Sequence, residues 1–284
     1  MIKTIILDVD GVIVGEKIRF NSPYPNLAVI DRLKLIKQKG ISISLCTAKP
    51  HWSIQKIIND AGLDNLHITN GGGVIIGPID NIILKKHLID KEQSKKVLKQ
   101  YLDNGVYTEF YTVDKYFIQE NQKSDLTKTH THILQRDPNF VSSLVDESQR
   151  QDVVKIMPIA KNEEDKNRLI ELFEPFKNDL TLSWGIHPIA LPHLFGIITA
   201  KGISKKQASL EIANNIGVKP EEILGIGDSA SDWQFIEACG YGGAVGNASE
   251  ELKKLVLSKG KSQSFVGKSV DENGILDIFN YFSL

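Results

Sequence analysis

Cysteine is scarce in this chain. Cys46 and Cys239 are the only two among 284 residues, and they lie far apart. Two such thiols form no metal-binding spacing, so they read as reduced thiols in a cytoplasmic protein. A surplus of one charge is missing as well. Lys+Arg number 34 against 35 Asp+Glu, a net charge of -1. That balance argues against nucleic acid or an anionic membrane as the main partner. No stretch approaches the ~18 apolar residues of a membrane span. The opening apolar run MIKTIIL is cut short by Asp8, too early for a signal peptide. Nucleotide-binding glycine motifs are absent too. There is no G-x-x-x-x-G-K-[ST], and in GYGGAVG (240–246) Val245 stands where G-x-G-x-x-G needs its last glycine. Neither an internal repeat nor a low-complexity segment is present.

What is there is enough apolar residue, 41% of the chain, to bury a sizeable core in one large or two smaller domains. Ile2 to Leu7 reads as a short buried strand. Asn26 to Lys39 reads as a helix, with Leu27, Ile30, Leu33 and Ile36 recurring every three residues and Gly40 as the stop. ISISLC (41–46) predicts a second strand, Trp52 to Ala61 a second helix, and HIT (67–69) a third strand before Asn70-Gly71-Gly72-Gly73. Strand and helix in alternation predict a parallel, doubly wound sheet. From about Gly77 to Pro192 the strands turn polar and alternating, as in VYTEFYTV (106–113) and YFIQE (116–120), with helices over 90–104 and 162–177. This pattern predicts an inserted α+β segment with an antiparallel sheet. The first pattern then returns: a helix over 203–216, the strand ILGIGD (223–228), a helix over 231–239, the glycine-rich strand YGGAVGNA (241–248) and a helix over 249–258. The expected fold class is α/β, a Rossmann-like parallel core over 1–77 and 192–284 with an α+β insertion over 78–191.

In open α/β sheets ligands sit outside the carboxyl ends of the strands. Here the first strand ends in Asp8-x-Asp10 and the second in Thr47. Lys205 enters the helix at 203, and the later strand ends in Asp228 with Asp232 four residues on. If these strands are neighbours, one cleft holds several carboxylates, a hydroxyl and an ammonium. Two or three carboxylate oxygens plus water suit Mg²⁺, which would relieve their repulsion and bind a phosphate oxygen. One carboxylate could attack phosphorus while a second, pointing elsewhere, moves protons. The hydroxyl and ammonium would hold the remaining phosphoryl oxygens.

With DVDGV (8–12), CTAK (46–49), GISKKQA (202–208) and GDSASD (227–232) in this order, the chain resembles the haloacid-dehalogenase-like phosphatases, and among them the Cof-type sugar-phosphate phosphatases. NGGG (70–73) and VGNA (245–248) add to the likeness, and the insertion falls where that family carries its larger α/β cap. The resemblance spans essentially the whole chain and is weakest in the cap. It implies Asp8 as nucleophile and Mg²⁺ ligand. Asp10 would be the general acid/base, with its carbonyl on the metal and the backbone of Val9 at the phosphoryl group. Thr47 and Ala48 would bind the phosphoryl group. Asp228 would be a further metal ligand, with Asp232 supporting the metal or the lysine. Among Lys201, Lys205 and Lys206, the family spacing selects Lys205. The implied substrate is a small phosphorylated metabolite, and both a monomer and a homo-oligomer are compatible with it.

Two positions depart from the family pattern. Thr47-Ala48-Lys49 stands where threonine-glycine-arginine is usual, so Lys49 keeps the charge without a bidentate fork. Ser231 replaces a longer asparagine, so its phosphate contact is lost or runs through water. Taken singly, each motif also has a structural reading: GDSASD and Thr47 as helix caps, and Lys205 as a solvated helix residue. His130 and His132 in THTH could form a metal pair, but an exposed cap strand is the plainer expectation. Trp184, His187 and Lys155 are candidates for facing substrate from the cap. Cys46 reads as a small buried residue. A phosphomutase, or a non-catalytic phosphate-binding regulator, could use the same fold. The intact Asp8, Asp10, Lys205 and Asp228 argue against the regulator.

Overall fold

A computed structural model describes residues 1–78 and 82–284. The chain opens with β1 (Thr4–Leu7), buried at all four positions. A run without a polar face is stable only where both faces of the sheet are covered. α1 (Leu27–Gln38) starts at Asn26, whose side chain accepts a hydrogen bond from Ala28 N at 3.0 Å. Its buried stripe is Val29, Ile30, Leu33 and Ile36, while Leu27 is 70% exposed. A strict three-residue spacing drifts around a 3.6-residue helix, so Leu27 lands opposite Ile36 and Val29 takes the inward place. β2 (Ser42–Leu45) and α2 (Gln55–Ala61) complete the first unit.

β3 (His67–Thr69) is not the full member of the parallel sheet that its place after α2 predicts. It meets the end of β2 through one parallel bridge, Cys46 to Ile68, and pairs antiparallel with β4 (Val74–Ile76). β4 pairs in turn with β5 (Ile83–Lys86). The expected domain border at 77 therefore falls between two paired strands of one small sheet.

The insertion contributes α3 (Lys91–Asp103), β6 (Thr108–Tyr111), β7 (Tyr116–Gln119), α4 (Asp125–Leu134) and β8 (Asn139–Val141). It continues with α5 (Leu144–Ser148), β9 (Lys155–Ala160), α6 (Glu163–Phe173), β10 (Leu180–Gly185) and β11 (Leu194–Ala200). Its six strands run β10-β11-β9-β6-β7-β8, all antiparallel except β7 with β8. Phe110, Ile156 and Ile198 on one face pack with Leu98 of α3, Leu144 of α5 and Leu169 of α6. Tyr111, Met157 and Phe195 face the other way and join the core cluster. With both faces covered, β6 is buried throughout, Glu109 included. Its alternating polarity does not mark a solvated face.

Two expectations are corrected here. The cap sheet runs on to Ala200, past the border placed at 191/192, because β11 pairs with β9 and β10. LFGIITA is apolar enough to read as a core strand, but it covers the inner side of the cap. The THTH segment is helical, not an exposed strand: it lies in α4, which begins with a reciprocal capping box between Ser124 and Thr127. Two residues apart on a helix, His130 and His132 do not share a face.

After the cap come α7 (Lys205–Asn215), β12 (Ile223–Gly227), α8 (Trp233–Ile236), β13 (Tyr241–Ala244), α9 (Glu250–Leu257), β14 (Ser264–Val266) and α10 (Ile275–Tyr281). The core sheet is parallel in the order β14-β13-β12-β1-β2. From β1 the chain goes to β2 on one side. After the cap it resumes at β12 on the other, so the topological switch point lies between β1 and β12. Leu7 is level with both Ile226 and Leu45. The residues that follow these three strands therefore emerge together at one edge. Among the described residues no helix is long and apolar enough to cross a membrane.

Candidate active site

Asp8 is the first residue past β1, and it is buried. Its Oδ1 accepts from Val9 N at 2.8 Å, and its Oδ2 lies 3.0 Å from Lys205 Nζ. Lys205 is the first residue of α7, behind the cap residue Ser204, and also reaches Asp232 Oδ1 at 2.8 Å. Neither alternative lysine does this: Lys201 is exposed, and Lys206 is 3.9 Å from Glu237. Asp232 Oδ2 accepts from Asp228 N and Ser229 N at 3.1 Å and from Ser229 Oγ at 3.0 Å. Both Asp232 oxygens are thus occupied in shaping the loop after β12 and in holding the lysine. The Asp228 carboxylate, by contrast, accepts no hydrogen bond from any described residue.

Asp10 turns to the opposite side. Lys49 Nζ is 2.6 Å and His187 Nε2 3.2 Å from its Oδ1. His187 Nδ1 accepts from Ile189 N at 3.2 Å, which leaves the proton of the neutral ring on Nε2, toward Asp10. Thr47, two residues past β2, accepts from Lys49 N through its Oγ1 at 3.0 Å. Cys46, just before it, is buried and its thiol is pushed up to about 12 by burial, which leaves it unreactive. Asn247, in the VGNA segment, donates to Gly11 O at 2.9 Å and accepts from Val270 N at 2.8 Å, which ties down the loop that carries Asp10.

These residues open onto a cleft lined by Asp8, Asp10, Thr47, Ala48, Lys205, Asp228 and Ser231 from the core and by Ser183, Trp184 and Ile197 from the cap. A second chamber adjoins it through Asp10, Ala48, Gly185 and Ile186. Lys49, Lys155 and His187 line that chamber. Trp184, Lys155 and His187 thus all reach the cleft system. The partnership of His187 with Asp10 had no signal in the sequence, because 177 residues and a whole domain separate them. Val9 lines neither chamber; its N–H is given to Asp8. Ser231 shares a hydrogen bond of 2.8 Å with Ser229 Oγ at the rim.

Charge decides what this floor can hold. One oxygen each of Asp8, Asp228 and Asp232 lie within 4.8 Å of one another. Burial pushes Asp8 up to about 7, against the pull of Lys205. Burial and the neighbouring Asp232 and Asp8 push Asp228 well above the usual carboxylate range. Three carboxylates here share one ammonium, that of Lys205, and the unpartnered Asp228 carboxylate beside Asp8 fits a hard divalent cation. Burial acts on Asp10 in the same sense, but Lys49 and His187 outweigh it and hold the carboxyl well below the usual range. The two aspartates one residue apart are thus in opposite electrostatic settings.

Gly11 makes this packing possible. It has φ +75, and a Cβ there would lie 2.0 Å from Asp228 Oδ2. Gly11→Ala is therefore expected to displace the Asp228 carboxylate, costing roughly 1–3 kcal/mol in stability and about 100-fold in turnover. A thermal melt and a phosphate-release assay check both.

The sequence profile of the haloacid dehalogenase-like hydrolases matches residues 5–279. The chain belongs to that family. Within it, the chain is 24% identical to Phosphatase YwpJ of Bacillus subtilis, over 89% of this chain and 92% of that protein. It is also 24% identical to the Bacillus subtilis 5-amino-6-(5-phospho-D-ribitylamino)uracil phosphatase YwtE, over 96% of this chain and 95% of that protein. In fold it is similar to the subclass IIB sugar phosphatase BT4131, with a TM-score of 0.79, 22% identity and 99% of each chain covered. A haloacid dehalogenase-like hydrolase from Bacteroides thetaiotaomicron matches with a TM-score of 0.80 at 20% identity, over 99% of this chain and 100% of that one. The protein is an enzyme of the phosphatase type within this family.

Proposed function

We propose that this enzyme hydrolyses phosphate monoesters of small metabolites, sugar phosphates among them, with Mg²⁺ and through an aspartyl-phosphate on Asp8. One observation carries the reading: Asp8 and Asp10 face different partners at the floor of one cleft. Asp8 is held by Lys205 at 3.0 Å, in reach of Asp228, while Asp10 faces Lys49 and His187. Asp8 and Asp228, with the carbonyl of Asp10, would hold the ion, and Asp232 would fix Lys205 and the Asp228 loop. The ion would supply Lewis-acid stabilisation of the phosphoryl oxygens.

Thr47 Oγ1, the Ala48 backbone and Lys205 would receive the phosphoryl oxygens, with Ser231 at the rim. Asp8 attacks phosphorus in line. Asp10, kept ionised by Lys49 in the free enzyme, takes up a proton from solvent once the entering phosphoryl group draws Lys49 away. It gives that proton to the leaving alcohol as the ester P–O bond breaks, and later takes one from the water whose oxygen bonds to phosphorus as the bond to Asp8 breaks, which frees Asp8 and inorganic phosphate. The cap keeps bulk water out of the cleft. We place the enzyme in the cytoplasm, where its two buried thiols remain reduced.

The test is a phosphate-release screen with Mg²⁺ over sugar phosphates, nucleotides, phosphoglycolate and pyridoxal phosphate. Inorganic phosphate is expected from at least one group of esters. Silence across the panel rejects the hydrolase reading, and an isomerised ester without free phosphate replaces it with a mutase.

A further inference from the structure

We infer that the second chamber is a receptor for an acidic group on the leaving alcohol, with Lys155 as its anchor, so that the preferred substrates are phosphate monoesters carrying a further carboxylate or phosphate. This rests on the hydrolase reading above and specifies its substrate class.

Lys49, His130, Lys155 and His187 all line the chamber, with Asp10 as its one acidic residue. Lys49 and His187 both face that aspartate. His130 Nδ1 lies 2.9 Å from Glu109 Oε1, and Glu109 Oε2 accepts from Tyr111 Oη at 2.6 Å. Lys155 is different. It is 1% exposed, yet among the described residues no carboxylate oxygen lies within 4.0 Å of its Nζ. Its ammonium donates to Ala48 O at 2.8 Å and sits 3.6 Å from the centre of the Tyr111 ring. These two contacts leave a third N–H without a protein acceptor. A buried ammonium short of an anion is costly. Accordingly, burial draws Lys155 down to about 7, and the charge of the more distant Glu109 offsets this only in part. An anion bound beside it would offset that cost and restore the full charge.

The location specifies the ligand further. Ala48 belongs to the segment that would bind the phosphoryl group, and Lys155 reaches that segment from β9 of the cap. An acid held by Lys155 therefore lies a few bonds from the ester phosphorus. Ile133, Leu134, Met157 and Phe195 form the rest of the wall, which suits a short carbon frame between the two acidic groups and disfavours a chain of hydroxyls.

The experiment compares matched esters: phosphoglycolate with 2-hydroxyethyl phosphate, and propane-1,3-diyl bisphosphate with 3-hydroxypropyl phosphate. p-Nitrophenyl phosphate serves as a general phosphatase substrate. The first pair probes a carboxylate and the second a phosphate. At least one acidic member is expected to exceed its neutral partner by tenfold or more in kcat/KM. Lys155→Met should bring that ratio near one, mainly through KM, and Lys155→Arg should restore part of it. Loss of support for Ala48 would depress both members alike and leave the ratio standing, which would overturn the role given to Lys155. Equal kcat/KM within both pairs, with p-nitrophenyl phosphate still turned over, overturns the inference and spares the hydrolase reading. No turnover of any ester, p-nitrophenyl phosphate included, rejects that reading and the inference with it.

Discussion

Asp8→Asn is expected to lower the rate of phosphate release by at least about 10⁴-fold, because an amide offers phosphorus no anionic oxygen. The same variant should be the more stable protein when metal is withheld. Burial lifts Asp8 to about 7 in the folded chain, against about 3.9 in an unfolded one. Between those values the folded state holds a proton that the unfolded state has released. Stability therefore falls as pH rises through this window, and above it the ionised Asp8 is a standing cost. Asn removes the charge while Lys205 keeps Asp232 at 2.8 Å. In chelator at pH 8 the variant should melt about 2–4 °C above wild type, the shift for roughly 1 kcal/mol in a chain of this size. Adding Mg²⁺ should raise wild type more than the variant. A variant that is both active and less stable would refute the nucleophile and the electrostatic account together.

Removal of metal has the second large effect. Chelator should silence wild type, and Mg²⁺ should restore it. Asp228→Asn tests the site from the protein side. Its carboxylate has no described hydrogen-bond donor to lose, so the change should leave the loop in place, since that loop is built on Asp232. Apparent Mg²⁺ affinity should fall about 10–100-fold, read as the Mg²⁺ concentration at half-maximal rate. Equal Mg²⁺ dependence in both proteins would remove Asp228 from the metal site.

Much of the candidate site was legible because it is local. Strand ends carry Asp8, Thr47 and Asp228, and register alone brings them level once β1 lies between β2 and β12. Lys205 could be selected from three lysines only through the family resemblance, and the structure brings that one to Asp8. The cap was legible in class and not in detail. β11 is as apolar as a core strand, since it is buried against the inner side of the cap. α4 is written in threonine and histidine, which favour a helix weakly, so its capping box carried a signal that composition hid. Glu109 sits within the alternating segment 106–113, yet it is buried, with His130 and Tyr111 supplying its hydrogen bonds. Tertiary pairs of this kind leave no mark at fixed sequence separation, and the contact of His187 with Asp10 is another.

The bond from Lys155 to Ala48 O has a kinetic meaning. Together with His187 against Asp10, and with Ser53 Oγ donating to Leu134 O at 3.0 Å, it joins the cap to the base by polar ties. Water can replace each tie, at a net cost of about 0.5–1.5 kcal/mol apiece. These ties are thus expected to add only modestly to the apolar contact that Tyr111, Met157 and Phe195 make with the core, and a burst of product in the first turnover would show that release, rather than bond-making at phosphorus, limits the rate.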